Sequence, residues 1–241
     1  MGNKVENDET KYTARPAVIV AAVRSGGTFL AHCLSNHPDI FCDRGESLHH
    51  TSLWHTYLTA DRGKLLYCLT HMQGYQISMV KLTYQQTFAE VWDYVRTIPV
   101  IWLRRENTIR QAVSVLLNEM ARRGRIERPQ HTFGRVEPVR VDLAPHLVVR
   151  AARGLLEQDQ RAEGQLGGLE PLRLTYEEII GPASTLADGM GKRICTFLGV
   201  RCVALGCDLT RINAQPLEEM ITNWDEVRGA IEGSEFAHCL E

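Results

Sequence analysis

The 241-residue sequence lacks several features that would assign it at once to a large class of proteins. It contains no apolar run approaching the roughly 18 residues of a membrane helix, so we expect no membrane span. It contains no C-x2-C, H-E-x-x-H or D-x-D segment, so we expect no metal site. The net charge of −2 argues against a general nucleic-acid-binding protein. Internal repeats and low-complexity tracts are also absent, which leaves a globular chain.

The N-terminal residues are polar and carry no apolar core of a secretion signal. We expect residues 1–14 to be a mobile polar tail and residues 15–241 to form one domain, which is long enough to bury a substantial core. The seven cysteines are odd in number and show no paired spacing, which indicates reduced thiols in a cytoplasmic protein. The sequence is compatible with an oligomer but does not predict one.

The most informative segment lies at residues 17–37 and reads AVIVAAVRSGGTFLAHCLSNH. Its first seven residues are continuously apolar, which is typical of a strand buried on both faces. A helical pattern runs from residue 28 to residue 35. The turn RSGGT at 24–28 lies between the two, where free N–H groups and the helix dipole converge. This arrangement predicts an anion-binding loop.

The turn almost fits the nucleotide-binding motif G-x4-G-K-[ST]. Ala21 stands at the first glycine, Gly26 at the second and Thr28 at the hydroxyl position. Gly27 replaces the lysine that would reach the β- and γ-phosphates, and the positive charge lies upstream, at Arg24. Such a loop suits a single phosphate and is poorly equipped for a magnesium–nucleoside triphosphate. An ordinary turn beside a surface arginine is the alternative interpretation.

A second strand–turn–helix unit predicts another anion site. The strand is expected at 98–103 and the helix at 108–123, with Asn107 as the N-cap. Arg105 follows the strand, at the edge where open α/β sheets bind ligands. Ser114 lies on the polar face of the helix. A solvated polar helix face is the alternative interpretation of this second unit.

Strands and helices alternate along the rest of the chain. Further strands are expected at 76–82 and 171–175, and further helices at 47–73, 85–95, 143–163, 184–198 and 216–231. This alternation predicts parallel βαβ units and an α/β fold, a three-layer sandwich with a central parallel sheet. The arginine-rich stretch within residues 122–150 has no clear period, and we expect it to bind the acceptor or to act as a lid.

Together the two anion-binding units resemble the sulfotransferases that use 3′-phosphoadenosine 5′-phosphosulfate (PAPS). The turn at 24–28 is similar to the family's 5′-phosphosulfate loop, and Arg105 with Ser114 is similar to its 3′-phosphate site. The run LRRENTIRQAVS at 103–114 looks most like the bacterial carbohydrate-type branch, related to the trehalose and Nod-factor sulfotransferases. RLTYEEI at 173–179 is similar to the family's late strand and acidic turn.

The resemblance implies a P-loop-like fold, the sulfotransferase fold. It also implies transfer of a sulfuryl group from PAPS to a hydroxyl of a small-molecule or carbohydrate acceptor, without a metal. The residues that it assigns to donor binding are Arg24, Ser25, Gly26, Gly27, Thr28, Phe29, Arg105 and Ser114. The identity of the acceptor and the position sulfated stay open.

Three side chains are the candidates for catalysis. Arg24 is suited to stabilising the phosphate that gains negative charge in the transition state. Lys81, which closes an apolar strand, is expected to face the transferred sulfuryl group. Glu46 is the candidate general base, because the resembling branch has a glutamate base in this place. His49 and His50 are the rivals, since imidazole titrates near neutral pH.

Two other functions fit the same sequence. The first is a small-molecule or nucleotide kinase on a P-loop fold, against which the glycine at position 27 counts. The second is a non-catalytic protein that retains the nucleotide site. Binding of magnesium–ATP would favour the first, and binding of the desulfated product (PAP) without sulfate transfer would favour the second.

Overall fold

The computed structural model describes residues 14–43, 72–84, 89–127, 139–181, 185–209 and 215–240. The strands are β1 (Arg15–Ala21), β2 (Ile40–Cys42), β3 (Ile77–Thr83), β4 (Val100–Arg104) and β5 (Leu172–Thr175). The helices are α1 (Gly27–Ser35), α2 (Ala89–Val95), α3 (Thr108–Arg122), α4 (Pro145–Leu166), α5 (Tyr176–Ile179), α6 (Met190–Leu198), α7 (Leu217–Met220) and α8 (Trp224–Glu232), followed by a 3₁₀ turn at Ala237–Leu240. The strands form one sheet in the order β2-β3-β1-β4-β5, and every neighbouring pair is parallel.

The central strand β1 is buried on both faces, as its continuous apolar run predicts. On one face, Ile19 and Ala21 pack into a core that includes residues of α1 and α6. On the other face, Val18 and Val20 pack into a core that includes residues of α2 and the end of α4. Helices therefore cover both faces of a parallel sheet, and the predicted three-layer α/β fold is confirmed.

The third helix, α3, joins the sheet to a helical layer. Its buried stripe packs against α4 and α8 in a separate apolar cluster. The predicted N-cap is confirmed, because the Asn107 side chain accepts a hydrogen bond of 2.9 Å from the backbone N–H of Arg110. The helix begins at Thr108, four residues after the carboxyl end of β4 at Arg104.

Two predicted helices differ most from the structure. The helix expected at 184–198 begins at Met190, because Thr185 forms an antiparallel bridge with Gly206. The helix expected at 216–231 is divided into α7 and α8. Ile221 interrupts it by forming a parallel bridge with Val141, a pairing with a segment that is distant in the sequence. Tertiary pairing overrides local helical periodicity at both places.

Several predictions fall outside the described residues. They concern residues 1–13 of the expected tail, most of the helical stretch expected at 47–73, and the base candidates Glu46, His49 and His50. Ala14, which was expected to end the mobile tail, is described and buried. Of the segment 122–150, the final residues form the start of α4, where Val148 is buried in the core. No helix in the described ranges is both long and apolar enough to cross a membrane.

Candidate functional site

The candidate site lies where the parallel strands end. The loop after β1 lies between the carboxyl ends of β3 and β4, because these strands are its two neighbours in the sheet. Lys81 lies near the end of β3, Arg105 follows β4, and Tyr176 follows β5. Side chains from four consecutive strands of the sheet therefore reach one edge, the edge at which open α/β folds bind ligands.

The loop from β1 to α1 has an unusual backbone. Gly26 is the N-cap of α1 with a φ of 86°, and Arg24 has a φ of 59°. Arg24 is the one non-glycine residue of the described chain in this left-handed region. That conformation costs an L-residue about 1–2 kcal/mol. Such strain persists only where neighbouring groups hold the backbone in place, and it is often found at functional sites.

Gly26 also permits a close approach to an aromatic ring. A Cβ atom on Gly26 would lie 2.7 Å from Cδ2 of Tyr176, a distance that real Cβ contacts do not reach. Ser25 next to it is fully buried, and its hydroxyl donates to the carbonyl of Ala22 at 2.7 Å. The Ser25 hydroxyl therefore stabilises the loop itself.

A lysine reaches the loop from the neighbouring strand. The Lys81 ammonium donates a hydrogen bond of 2.9 Å to the hydroxyl of Thr28, in the first turn of α1. The side chain passes close to Gly27, where a Cβ atom would lie 3.0 Å from Cδ of Lys81 and 3.2 Å from Cβ of Ala21. The glycine at the position of the P-loop lysine thus leaves room for a lysine that comes from β3.

The two predicted anion sites meet at Arg24. The Nε–H of Arg24 donates to the Ser114 hydroxyl on α3 at 3.0 Å. Arg105 donates from one guanidinium nitrogen to the Arg24 carbonyl, at 3.4 Å. Arg24 thus bridges the loop after β1 and the polar face of α3, and it lies between the two sites that the sequence suggested.

The Arg105 guanidinium is held from several sides. It is only 6% exposed and stacks over the Tyr176 ring, with its central carbon 4.3 Å from the ring centroid. Its Nε lies 3.7 Å from a carboxylate oxygen of Glu177. Arg104 next to it is exposed and lies on the opposite side of the strand, over the ring of Trp102. Of the two neighbouring arginines, Arg105 is therefore the one that faces the site.

A short capped helix places Tyr176 and Glu177. Thr175 and Glu178 form a capping box, in which each side chain accepts a hydrogen bond from the other residue's backbone N–H. The Glu177 carboxylate also accepts hydrogen bonds from the backbone N–H groups of Glu106 and Asn107, at 3.0 and 3.3 Å. The turn after β5 is thereby tied to the turn after β4.

The electrostatics of the site favour an anion. Burial lowers the pKa of Arg24, and the nearby Tyr176 partly opposes this effect. An arginine stays charged even so, because its pKa starts far above neutral pH. No carboxylate in the described ranges forms an ion pair with Arg24, whereas Arg105 has Glu177 close by. Two guanidinium groups and one ammonium group therefore lie around the loop.

The structure brings together most of the predicted donor-binding residues, namely Arg24, Gly26, Gly27, Thr28, Arg105 and Ser114. Phe29, on α1, is half-buried and packs against the apolar core. Three residues that contact the site were assigned no role in it from the sequence: Tyr176, Glu177, and Gln111, whose side-chain amide donates to the Val23 carbonyl. The sequence placed Gln111 on a helix face and Tyr176 and Glu177 after a strand. It contained no signal for the residues that they contact.

Comparisons with known proteins identify the fold. No protein-family model matches the chain, and no curated protein sequence does so either. The crystal structure of a sulfotransferase from Alicyclobacillus acidocaldarius superposes with a TM-score of 0.58 over 94% of this chain and 93% of that one, at 18% sequence identity. The chain has the sulfotransferase fold. The sulfotransferase domain from the curacin biosynthetic pathway gives a TM-score of 0.49 at 13% identity, over 96% of this chain and 84% of that one.

Proposed function

We propose that this protein is a PAPS-dependent sulfotransferase that acts on a hydroxyl group of a small molecule, either sugar-bearing or of another kind. The observation that carries the proposal is the hydrogen bond of 3.0 Å between Arg24 and Ser114. It joins the loop suited to a 5′-phosphosulfate to the helix suited to a 3′-phosphate. A donor with two separate phosphate-type groups matches two adjacent anion sites better than a single phosphate does.

The loop side of the site suits the reacting end of the donor. The Lys81 ammonium, the Thr28 hydroxyl and the N–H groups at the start of α1 lie together. Groups arranged in advance around developing negative charge lower the barrier of a transfer reaction. In this reaction an acceptor oxygen attacks sulfur, and the bond from sulfur to the 5′-phosphate oxygen breaks. The electron pair goes to that oxygen, which Lys81 and Arg24 would stabilise.

The helix side of the site suits the 3′-phosphate. Arg105 offers a planar fork of donors, and its stacking on Tyr176 fixes the plane of that fork. Ser114 adds a hydroxyl from α3. Binding the donor at a group remote from sulfur fixes its position along the sheet edge and so aligns the reacting bond.

Glu46 stays the proposed general base for the acceptor hydroxyl, with His49 and His50 as its rivals. In the proposed reaction the base accepts the acceptor's proton as the new oxygen–sulfur bond forms. The acceptor class stays as the sequence resemblance suggests, a sugar-bearing or other small molecule. The six described cysteines are free thiols, which fits the cytoplasmic location that we propose.

Ligand binding separates this function from a kinase. We expect PAP to raise the melting temperature of the protein in a buffer that contains EDTA. We expect this rise to exceed the one that magnesium–ATP gives in a buffer without EDTA. Stabilisation by magnesium–ATP, with none by PAP, would refute the proposal. Transfer of label from ³⁵S-PAPS into a metabolite extract then tests catalysis. Binding of PAP with no transfer into any extract component would indicate a non-catalytic nucleotide-binding protein.

A further inference from the structure

Three side chains that follow β4 in the sequence form hydrogen bonds with Arg24 or with the peptide group before it. Arg105 donates to the Arg24 carbonyl, and Ser114 accepts from the Arg24 guanidinium. The third contact comes from Gln111, whose side-chain amide donates to the Val23 carbonyl at 2.7 Å. This third contact is the shortest of the three and involves the peptide group that joins Val23 to Arg24.

Gln111 is an unusual residue for its position. It is only 1% exposed, and its α3 neighbours Ile109, Ala112 and Val113 are fully buried apolar residues. Its side-chain carbonyl oxygen has no hydrogen-bond partner among the described residues. A buried polar group with an unmatched acceptor lowers stability, whereas an apolar side chain of the same shape would avoid that cost. The hydrogen bond from its side-chain amide to the Val23 carbonyl is therefore the reason that we assign to a glutamine at this position.

That bond determines the orientation of a peptide group. The Val23–Arg24 peptide group comes directly before the N–Cα bond of Arg24, about which φ is 59°. The hydrogen bond from Gln111 points the carbonyl of this peptide group toward α3, and so restricts the φ of Arg24. Loss of the Gln111 donor would leave only the contacts with Arg105 and Ser114 among these three, and would favour relaxation of Arg24 to a negative φ. Such a change would move the side chain away from Ser114.

We infer that Gln111 is a positioning residue, which holds Arg24 in its left-handed conformation and so directs the guanidinium into the anion site. The inference concerns the geometry of Arg24 and holds for any anion that the loop binds. The effect that we expect a Gln111 substitution to have on PAP affinity rests on the proposed function. The effect that we expect it to have on the Arg24 side chain does not.

The test compares Gln111→Met with the wild-type protein. Methionine keeps the length of the side chain and removes the donor, so the fold is retained while the contact with Val23 is lost. The readout is the Nε–H resonance of Arg24 in ¹⁵N NMR spectra, identified by its absence in Arg24→Lys. We expect its exchange with solvent to rise about tenfold, the change that corresponds to one lost hydrogen bond. Gln160→Met, the same substitution at an exposed position of α4, is the matched control.

The binding of PAP supplies a second readout. We expect Gln111→Met to weaken PAP binding by about three- to tenfold, the range for one lost hydrogen bond, and to have less than about a twofold effect when Arg24 is already alanine. An equal effect in both backgrounds would mean that Gln111 does not act through Arg24, and would overturn the inference. Failure of PAP to bind the wild-type protein, together with faster Arg24 exchange in Gln111→Met, would refute the proposed function and support the positioning role.

A second variant and a wild-type measurement guard against a variant that does not fold. Gln111→Leu also removes the donor and places no charge at this buried position, so it replaces Gln111→Met if needed. In the wild-type protein itself, the Gln111 side-chain amide protons should exchange slowly, because one of them is bonded to the Val23 carbonyl in a buried place. Fast exchange of these protons, or unchanged Arg24 exchange in a folded Gln111 variant, would overturn the inference.

Discussion

The Lys81 ammonium on β3 donates a hydrogen bond of 2.9 Å to the Thr28 hydroxyl on α1. In a P-loop the cation next to this hydroxyl comes from the residue before it, and in this chain that residue is Gly27. The positive charge is therefore supplied by a different strand. The Lys81 ammonium lies beside the first turn of α1. In the proposed reaction, the 5′-phosphate of the departing PAP gains its negative charge at this place.

Lys81→Met is expected to reduce turnover much more than donor binding. Methionine preserves the apolar stem and removes the charge, so the developing negative charge in the transition state loses one partner. We expect turnover on the acceptor identified from the extract to fall by about 10²–10³, and PAP affinity to fall by less than about tenfold. Lys192→Met, at an exposed site on α6, is the control and should retain wild-type turnover. An equal loss in affinity and turnover would show that Lys81 only binds the donor.

Gly27→Ala is expected to impair turnover through Lys81. The new Cβ atom would displace the Lys81 stem, which passes at 3.0 Å. The same atom would lie 3.2 Å from Cβ of the buried Ala21, so we expect a modestly lower melting temperature together with lower turnover. The substitution should have no further effect on turnover in Lys81→Met. A further loss in that background would contradict the link between the two residues.

Arg105→Ala is expected to weaken PAP binding, and Arg104→Ala is its matched control. Arg105 is buried against Tyr176, whereas Arg104 is exposed on the opposite side of the strand. Loss of a hydrogen bond to a charged group costs about 1.5–3 kcal/mol, which corresponds to a roughly 10- to 150-fold weaker affinity. Isothermal titration calorimetry with PAP measures both variants. Equal losses in the two variants would indicate a general electrostatic effect rather than a phosphate site at Arg105.

Glu46→Gln is expected to leave PAP binding intact and to reduce turnover by about 10²–10⁴, the usual contribution of a general base. Glutamine preserves the shape of the side chain and removes its ability to accept the acceptor's proton. His49→Asn and His50→Asn should have much smaller effects. Wild-type turnover in Glu46→Gln would assign the role to a histidine if a histidine variant also abolished an acidic limb of the pH–rate profile.

Asp159→Asn is expected to change how stability depends on pH. Burial raises the pKa of Asp159, although a hydrogen bond with Tyr84 and the charge of Arg104 oppose this. The folded protein then binds this proton more tightly than the unfolded chain does, so wild-type stability falls as the pH rises above about 4. Asparagine does not ionise, and the stability of the variant relative to wild type should grow from pH 4 toward neutral pH. Urea unfolding at several pH values measures this, and a difference independent of pH would contradict it.

Local sequence signals predicted the parts of the site that depend on neighbouring residues. The apolar run before Arg24 predicted a strand buried on both faces, and the asparagine at 107 predicted a helix start that the structure confirms. The capping box at 175–178 was not predicted, although its two side chains lie only three residues apart. These features follow from short-range backbone geometry, which a sequence pattern reports directly.

Contacts between distant segments could not be predicted in the same way. The bridge between Ile221 and Val141 divided a helix that its own periodicity favoured. The close approach of Tyr176 to Gly26 joins segments about 150 residues apart, and nothing in either segment indicates the other. The energy of such contacts depends on the order of strands in the sheet rather than on any local preference.

The sequence by itself determined the components of the ligand-binding edge of the sheet. They are a buried parallel strand, a glycine-containing turn, a helix start and basic residues at strand ends. Only the tertiary structure decided which cation meets which partner. Lys81 reaches Thr28 because β3 lies beside β1, and Arg24 reaches Ser114 because β4 lies on the other side. Parallel strands align their carboxyl ends whatever their separation in the chain, so the strand order, and not the spacing of residues, assembled the site.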